Sequence, residues 1–352
     1  MKKIFMTIVA LAAIAACSKT EVQYENSAEI GFAPVVKNVT KAAMTGKLLE
    51  VNPDQKLGIW AYWNYDGAYI LGTHSEEYLS DATFGKKDAT LANGNPTTAW
   101  GGVGYSYPWP TNGTLRFAGY TKPANVVSVS YSGVDSDNLT FTNYTQTNGF
   151  DLCWFNATTE YNYRSTGEAI PVTLSHALSW LTFKIKGQGT VGWKITSIVL
   201  NDIATVGTGV CHGTGVDAAQ WTCAEDAYTS DITLLSSDLV LTETLVDIEN
   251  GAKNILVIPQ LINNSGKTGT DRTHTLTINY SFPVGDPAVD GNWKSDTKVV
   301  NLDLISSGTL IDNEWKSGIH YTYNLTFKSN EILVSPSYGE WDTTVDNSVT
   351  VE

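Results

Sequence analysis

Cys17 is the residue whose chemistry is most sharply set by its neighbours. A thiol placed directly after small residues at the end of an apolar run is an acceptor for a diacylglyceryl group, and Ile14, Ala15 and Ala16 precede Cys17 in this way. The run from Ile4 to Ala16 follows Lys2 and Lys3. A basic start with a short apolar stretch makes an export signal, and the stretch is too short to span a bilayer. Residues 1–16 are therefore expected to be a lipoprotein signal peptide, with Cys17 as the acylated N-terminus of the mature chain. An ordinary signal peptide with a chance cysteine is the alternative. Each buried CH₂ contributes roughly 0.8 kcal/mol, so several acyl chains make a durable anchor.

The remaining reactive residues carry no comparable pattern. Cys153, Cys211 and Cys223 are odd in number and allow at most one internal bridge. Cys211 and Cys223 are near enough in sequence to close a small loop; three buried thiols are the alternative. Cys211, His212 and Cys223 lack the C-x-x-C pair of a zinc site. His74, His176, His212, His274 and His320 are scattered, and no nucleophile elbow or phosphate-cradling loop is present. The run Asp135-Ser136-Asp137-Asn138 resembles part of a calcium loop but lacks its central glycine and terminal glutamate, so it reads as a solvated turn. No catalytic residue, metal or cofactor is expected. Two aromatic groups, Trp60/Tyr62/Trp63/Tyr65 and Trp100/Tyr105/Tyr107/Trp109, read either as core or as an exposed platform for sugar faces.

The elements around these residues are short strands. Residues 18–28 are polar and read as a tether. Glu29–Val36 reads as a first strand, Leu57–Trp63 as one apolar on both faces, and Thr114–Tyr120 as a third. In Leu181–Lys186 the apolar Leu181, Phe183 and Ile185 alternate with Thr182, Lys184 and Lys186, the mark of a half-buried strand. Further strands are expected at Trp193–Leu200, Asn254–Pro259, His274–Phe282, Lys298–Ile305 and His320–Lys328, with another at Glu331–Ser335. Val216–Tyr228 has room for a helical turn or two. Many short strands with Gly, Asn and Asp turns predict an all-β chain of sandwich type. A domain step is placed near Gly167–Glu168, giving units of residues 29–167 and 168–352.

The composition agrees. The 352 residues include 11 Trp, 17 Tyr, 10 Phe and 30 Gly, a mixture suited to sheets and turns. The net charge of −14 becomes more negative once Lys2 and Lys3 are removed, which argues against a nucleic-acid partner.

In their order along the chain, five segments resemble the fimbrillin family of Bacteroidia, the Mfa-like and major-fimbrium group of type V pilus lipoproteins. They are Ala15-Ala16-Cys17; Ile30-Gly31-Phe32 leading to Asn38-Val39-Thr40-Lys41-Ala42; Leu57–Tyr62 with Tyr107-Pro108-Trp109-Pro110 and Leu115–Tyr120; Asp151-Leu152 with Val172–Leu181; and Ile258-Pro259-Gln260 with Trp315–Leu325. The resemblance implies two tandem transthyretin-like β-sandwich domains and a structural or adhesive subunit of a surface fimbrium, held at the outer membrane through its lipid. Its partners would be other fimbrial subunits, with a host or bacterial surface glycan or protein as a further class.

The resemblance also implies assembly by strand exchange. A protease cuts after a basic residue, the first strand leaves, and a neighbour's strand fills the groove by β-augmentation. Best-known stalk subunits are cut at arginine; here Lys41 is the first candidate, Lys37 the second, and Lys47 lies further on. Ile30, Phe32 and Val35 or Val36 are apolar enough for the leaving strand. The tail from Glu331 to Glu352, with Val345, Ser348, Val349 and Val351, would be the donor. The alternatives are that both ends stay in their own domains, or that a non-polymerising lipoprotein binds glycans through exposed aromatics.

Overall fold

A computed structural model describes residues 28–36, 55–65, 75–87, 100–124, 128–132, 136–146, 149–156, 160–163, 165–213, 218–248, 255–263, 273–302 and 313–340. The first nine strands are β1 (Phe32–Val36), β2 (Lys56–Asn64), β3 (Ser75–Lys86), β4 (Trp100–Gly102), β5 (Thr114–Lys122), β6 (Ser128–Tyr131), β7 (Leu139–Thr145), β8 (Cys153–Asn156) and β9 (Ile170–His176). Seven of them form a closed barrel in the order β1-β4-β3-β2-β5-β8-β9, with β9 returning to β1. β6 and β7 leave the ring.

The unbroken apolar run of β2 follows from its position. Leu57, Ile59, Ala61 and Trp63 point into the barrel, where they meet Phe32, Phe84, Phe117 and Phe155. Trp60 and Tyr62 point outward into a second cluster with Tyr120, Phe141 and Trp154. A strand covered on both faces has no polar side to show. The same burial decides the aromatic question. Trp60, Tyr62, Trp63, Trp100 and Trp109 are core residues, and Tyr65 and Tyr107 pack against the core from partly buried positions. Of the two groups, only Tyr105 stands exposed, so the expected alternative of a glycan platform loses its surface.

The later strands are β10 (Ser179–Gly187), β11 (Lys194–Ala204), β12 (Val206–Cys211), β13 (Ala219–Thr222), β14 (Tyr228–Leu235), β15 (Leu239–Val240), β16 (Val246–Asp247), β17 (Ile255–Val257), β18 (Gln260–Leu261), β19 (Thr275–Pro283), β20 (Trp293–Asn301), β21 (Glu314–Trp315), β22 (Ile319–Phe327) and β23 (Ile332–Glu340). One sheet runs β16-β10-β22-β23 with β17 also on β10; the other runs β14-β11-β19-β20 with β15 also on β11. Between them lies the largest core. Leu181, Phe183 and Ile185 of β10 and Tyr321, Tyr323, Leu325 and Phe327 of β22 meet Ile195, Ile198 and Leu200 of β11 and Leu276, Ile278 and Tyr280 of β19. Strict alternation of buried and half-buried residues along β22 is the pattern its sequence shows.

The all-β class therefore stands, with differences in detail. β9, which follows the Gly167–Glu168 step expected from the sequence, pairs with β1 and β8 of the first unit. Its first sheet closes into a ring rather than ending in free edges. A four-stranded sheet, β13-β12-β7-β6, takes two strands from each half of the chain, so the halves are joined by a shared ladder. The helical turns expected within Val216–Tyr228 reduce to a single 3₁₀ turn, Glu225–Ala227, because Ala219–Thr222 pairs with β12.

Candidate functional site: the closing strand of the barrel

The barrel is closed by β1, five residues of sequence Phe-Ala-Pro-Val-Val. β1 lies parallel to β9 over five register pairs, Phe32 opposite Ile170 through Val36 opposite Leu174. On its other side it meets β4 at one described pair, Phe32 opposite Trp100. Pro34 has no N–H to give, which limits the ladder the strand can form. Gly31 brings the chain close to β4: a Cβ there would sit 3.3 Å from the Trp100 carbonyl oxygen.

What the strand lacks in hydrogen bonds it gains in apolar contact. Phe32 is fully buried, edge-on to Phe84 and Phe117 at centroid distances of 5.0 and 5.2 Å and tilted against Phe155. Ile30 is also buried. Each of these side chains contributes about 1.5–3 kcal/mol by leaving water. The segment before the strand is clamped by Tyr107-Pro108-Trp109. The Ile30 amide donates to the Tyr107 carbonyl at 2.7 Å, and the Trp109 amide donates to the Ala28 carbonyl at 2.9 Å. The Tyr78 hydroxyl in turn donates to the Pro108 carbonyl at 2.6 Å.

A surface ion pair flanks the entry. Glu29 meets Lys87 at 2.5 Å, and both side chains are about half exposed. The Lys87 hydrogen bond, then one from Ser106, holds the Glu29 carboxyl below its usual range, with slight burial opposing. A lowered folded value means that this contribution is complete above the ordinary carboxylate range and fades as pH falls through the folded value. Because the pair is solvated, Glu29→Gln is expected to cost no more than about 1 kcal/mol in urea unfolding at neutral pH, and less still in acid. A larger cost at pH 7, or a cost that grows in acid, would contradict this assignment.

The sequence-predicted site residues fall differently. Cys17, Lys37, Lys41 and Lys47 lie outside the described residues; Lys37 directly follows the last residue of β1. Cys211 and Cys223 are free thiols. Cys211 is opposite Ala219 at the closed end of the β12–β13 hairpin, while Thr222, the residue before Cys223, is opposite Thr208 towards the other end. The two cysteines stand several residues apart along the ladder, too far for the roughly 6 Å Cα separation of a disulfide, so the expected bridge does not form. Burial pushes the Cys211 thiol well up, which leaves it protonated and unreactive. The expected donor tail is split: Ile332–Glu340 forms β23, paired with β22 along its whole length, and residues 341–352 lie outside the described residues.

Two groupings were not visible in the sequence. Asp137, expected in a solvated turn, forms an ion pair with buried Arg116 of β5 and accepts a hydrogen bond from the Tyr131 hydroxyl at 3.0 Å. A lone arginine in the apolar run Leu115–Tyr120 was the available signal, since it had to be matched by an acid. The second grouping is Asp151, Cys153 and His176. Asp151 and Cys153 have the two-residue spacing of one strand face, and His176 continues the inward face of Ile170, Val172 and Leu174.

Comparison with known proteins fits this architecture. The family model described as fimbrillin-like matches residues 40–341. No curated protein sequence matches the chain. Among solved structures, a fimbrial protein from Bacteroides vulgatus shares the fold at a TM-score of 0.59 and 16% identity, over 88% of this chain and 99% of that one. A candidate cell adhesion protein from Bacteroides uniformis aligns at a TM-score of 0.48 and 15% identity, over 89% and 98%. The tip fimbrial protein Mfa3 from Porphyromonas gingivalis, C-terminally truncated, aligns at 0.41 and 10%, over 90% and 100%.

Proposed function

This chain belongs to the fimbrillin-like family, and on that basis we propose that it is a structural or adhesive, non-catalytic subunit of a bacterial surface fimbrium. It is exported as a lipoprotein through Cys17, anchored in the outer membrane, and assembled with other subunits by strand exchange. Cleavage after Lys41, or after Lys37, releases the N-terminal segment with β1. The gap between β4 and β9 is then filled by a strand from a neighbouring subunit.

The observation that carries this reading is the seating of β1. It is joined to β9 by one parallel ladder and to β4 by a single described pair, and its hold depends on Ile30 and Phe32. Its departure would open a slot lined by Phe84, Phe117 and Phe155, with the inner edge of β9 unpaired. An incoming strand needs apolar residues two apart, as Ile30 and Phe32 are. Val349 and Val351 have that spacing in the sequence beyond β23, within residues 341–352 that lie outside the described residues.

Two measurements test the proposal on cells. Mass spectrometry of the mature protein is expected to show an acyl mass on Cys17 before processing, and none on Cys17→Ser. Cell-surface material run unboiled on gels is expected to show a ladder of subunit multiples. An unmodified Cys17 removes the lipoprotein step; a single monomer band in unboiled material removes the polymer.

A further inference from the structure

Asp151, Cys153 and His176 bring three different metal donors together where the barrel meets the second unit. Their ligand atoms all lie within 4.8 Å of one another. His176 Nδ1 is 2.9 Å from Asp151 Oδ2 and 3.5 Å from Cys153 Sγ. All three residues are shut off from solvent, at 3%, 0% and 4% exposure.

The backbone holds the donors in place. Cys153 is paired directly across the ladder with His176. The Thr121 hydroxyl accepts from the Cys153 amide at 2.7 Å and donates to the Asp151 carbonyl at 3.0 Å. The Ala177 amide donates to the Leu152 carbonyl at 2.8 Å, and the Ser317 hydroxyl donates to the His176 carbonyl at 2.8 Å. Strands β8 and β9 and the turn after β21 therefore fix the cluster.

A carboxylate in such a place needs compensation, because burying a charge without donors costs several kcal/mol. Neither oxygen of Asp151 accepts a hydrogen bond. His176 stands at ion-pair distance from it, and the same Nδ1 is shared with the Cys153 sulfur. A thiol and an imidazole gathered beside a buried carboxylate whose oxygens accept no hydrogen bond are placed to share one cation with it. We propose that Asp151, Cys153 and His176 bind one divalent transition-metal ion of the zinc class.

Charge and donor type agree. A thiolate, a carboxylate and a neutral imidazole sum to −2 and are neutralised by a 2+ ion, with the thiol proton released to solvent on binding. Sulfur and nitrogen donors select zinc-like ions over calcium or magnesium. With no solvent path to the donors, the ion enters while the chain folds. Once bound, it ties the approach to β8 onto β9, the strand on which β1 is paired.

The test is made on the full chain. Protein unfolded with reductant and chelator is refolded with equimolar ZnCl₂ or CoCl₂, freed of excess ion by gel filtration, and analysed for metal. Stoichiometric retention is expected, with a thiolate-to-cobalt charge-transfer band for the cobalt form and a higher thermal midpoint for the zinc form. Asp151→Asn and Cys153→Ser are each expected to retain about tenfold less metal or lower still, whereas Cys211→Ser and Cys223→Ser keep the charge-transfer band. If Cys153→Ser does not fold, the wild-type spectrum decides alone. Refolded wild-type protein without metal or without the band overturns the proposal, as does equal metal in the Asp151→Asn protein.

Discussion

Replacing Phe32 with alanine is expected to destabilise the barrel by about 3–5 kcal/mol, the range for emptying a fully buried aromatic site. The ring has no water-filled side to relax into: Phe84, Phe117 and Phe155 surround it within the barrel core. The loss should concentrate at the seam with β4, where β1 makes a single pair among the described residues. Urea unfolding followed by tryptophan fluorescence measures the total, and amide exchange along β9 shows where opening begins. Phe32→Leu, which keeps most of the volume, should cost about 1.5 kcal/mol or less. An alanine variant within about 1 kcal/mol of the parent would mean that the strand is not held by this side chain.

The second large effect is expected at Asp137. Removing one partner of a buried ion pair leaves the other charge uncompensated, at a cost of about 3–5 kcal/mol. Arg116 is buried beneath the loop that carries Asp137, and its side chain is 5% exposed. Asp137→Ala should therefore approach the cost of Phe32→Ala although Asp137 sits in a turn. Replacing both partners with apolar residues, Arg116→Met with Asp137→Leu, should recover much of the loss, since no orphan charge remains. If the single variant costs under about 1 kcal/mol, Arg116 reaches water and the pair contributes no more than a surface contact.

Much of the fold was legible because its strands are either half-buried or wholly buried. β10 and β22 show clean alternation, and the unbroken run of β2 marks a strand covered on both faces. β3 was missed because Ser75–Lys86 is acidic and small-residue rich; its place in the ring is given by pairing with β2 and β4 rather than by its own pattern. The place of β9 in the barrel was not legible, because parallel pairing with β1 joins residues far apart in sequence, which no local pattern records. The same holds for the sheet shared by β7 and β12. For the candidate site, the apolar character of Ile30 and Phe32 was readable, and the clamp by Tyr107-Pro108-Trp109 was not. Asp151, Cys153 and His176 escaped notice because the spacing rules for metal motifs describe donors on one turn or hairpin, and here the ladder between β8 and β9 brings them together.

The proposed function requires β1 to be a removable strand whose loss makes the subunit polymerise. Limited trypsin treatment of the purified, unlipidated chain, followed by light scattering of the product, tests it most directly. A first cut near Lys41 or Lys37 is expected, with release of the segment that carries Phe32 and growth of the cut chain into oligomers. Substitution of Lys37, Lys41 and Lys47 by Gln should abolish both the cut and the growth. A cut chain that has lost residues up to Val36 and remains a stable monomer would mean that β1 is no plug and that its loss does not drive assembly.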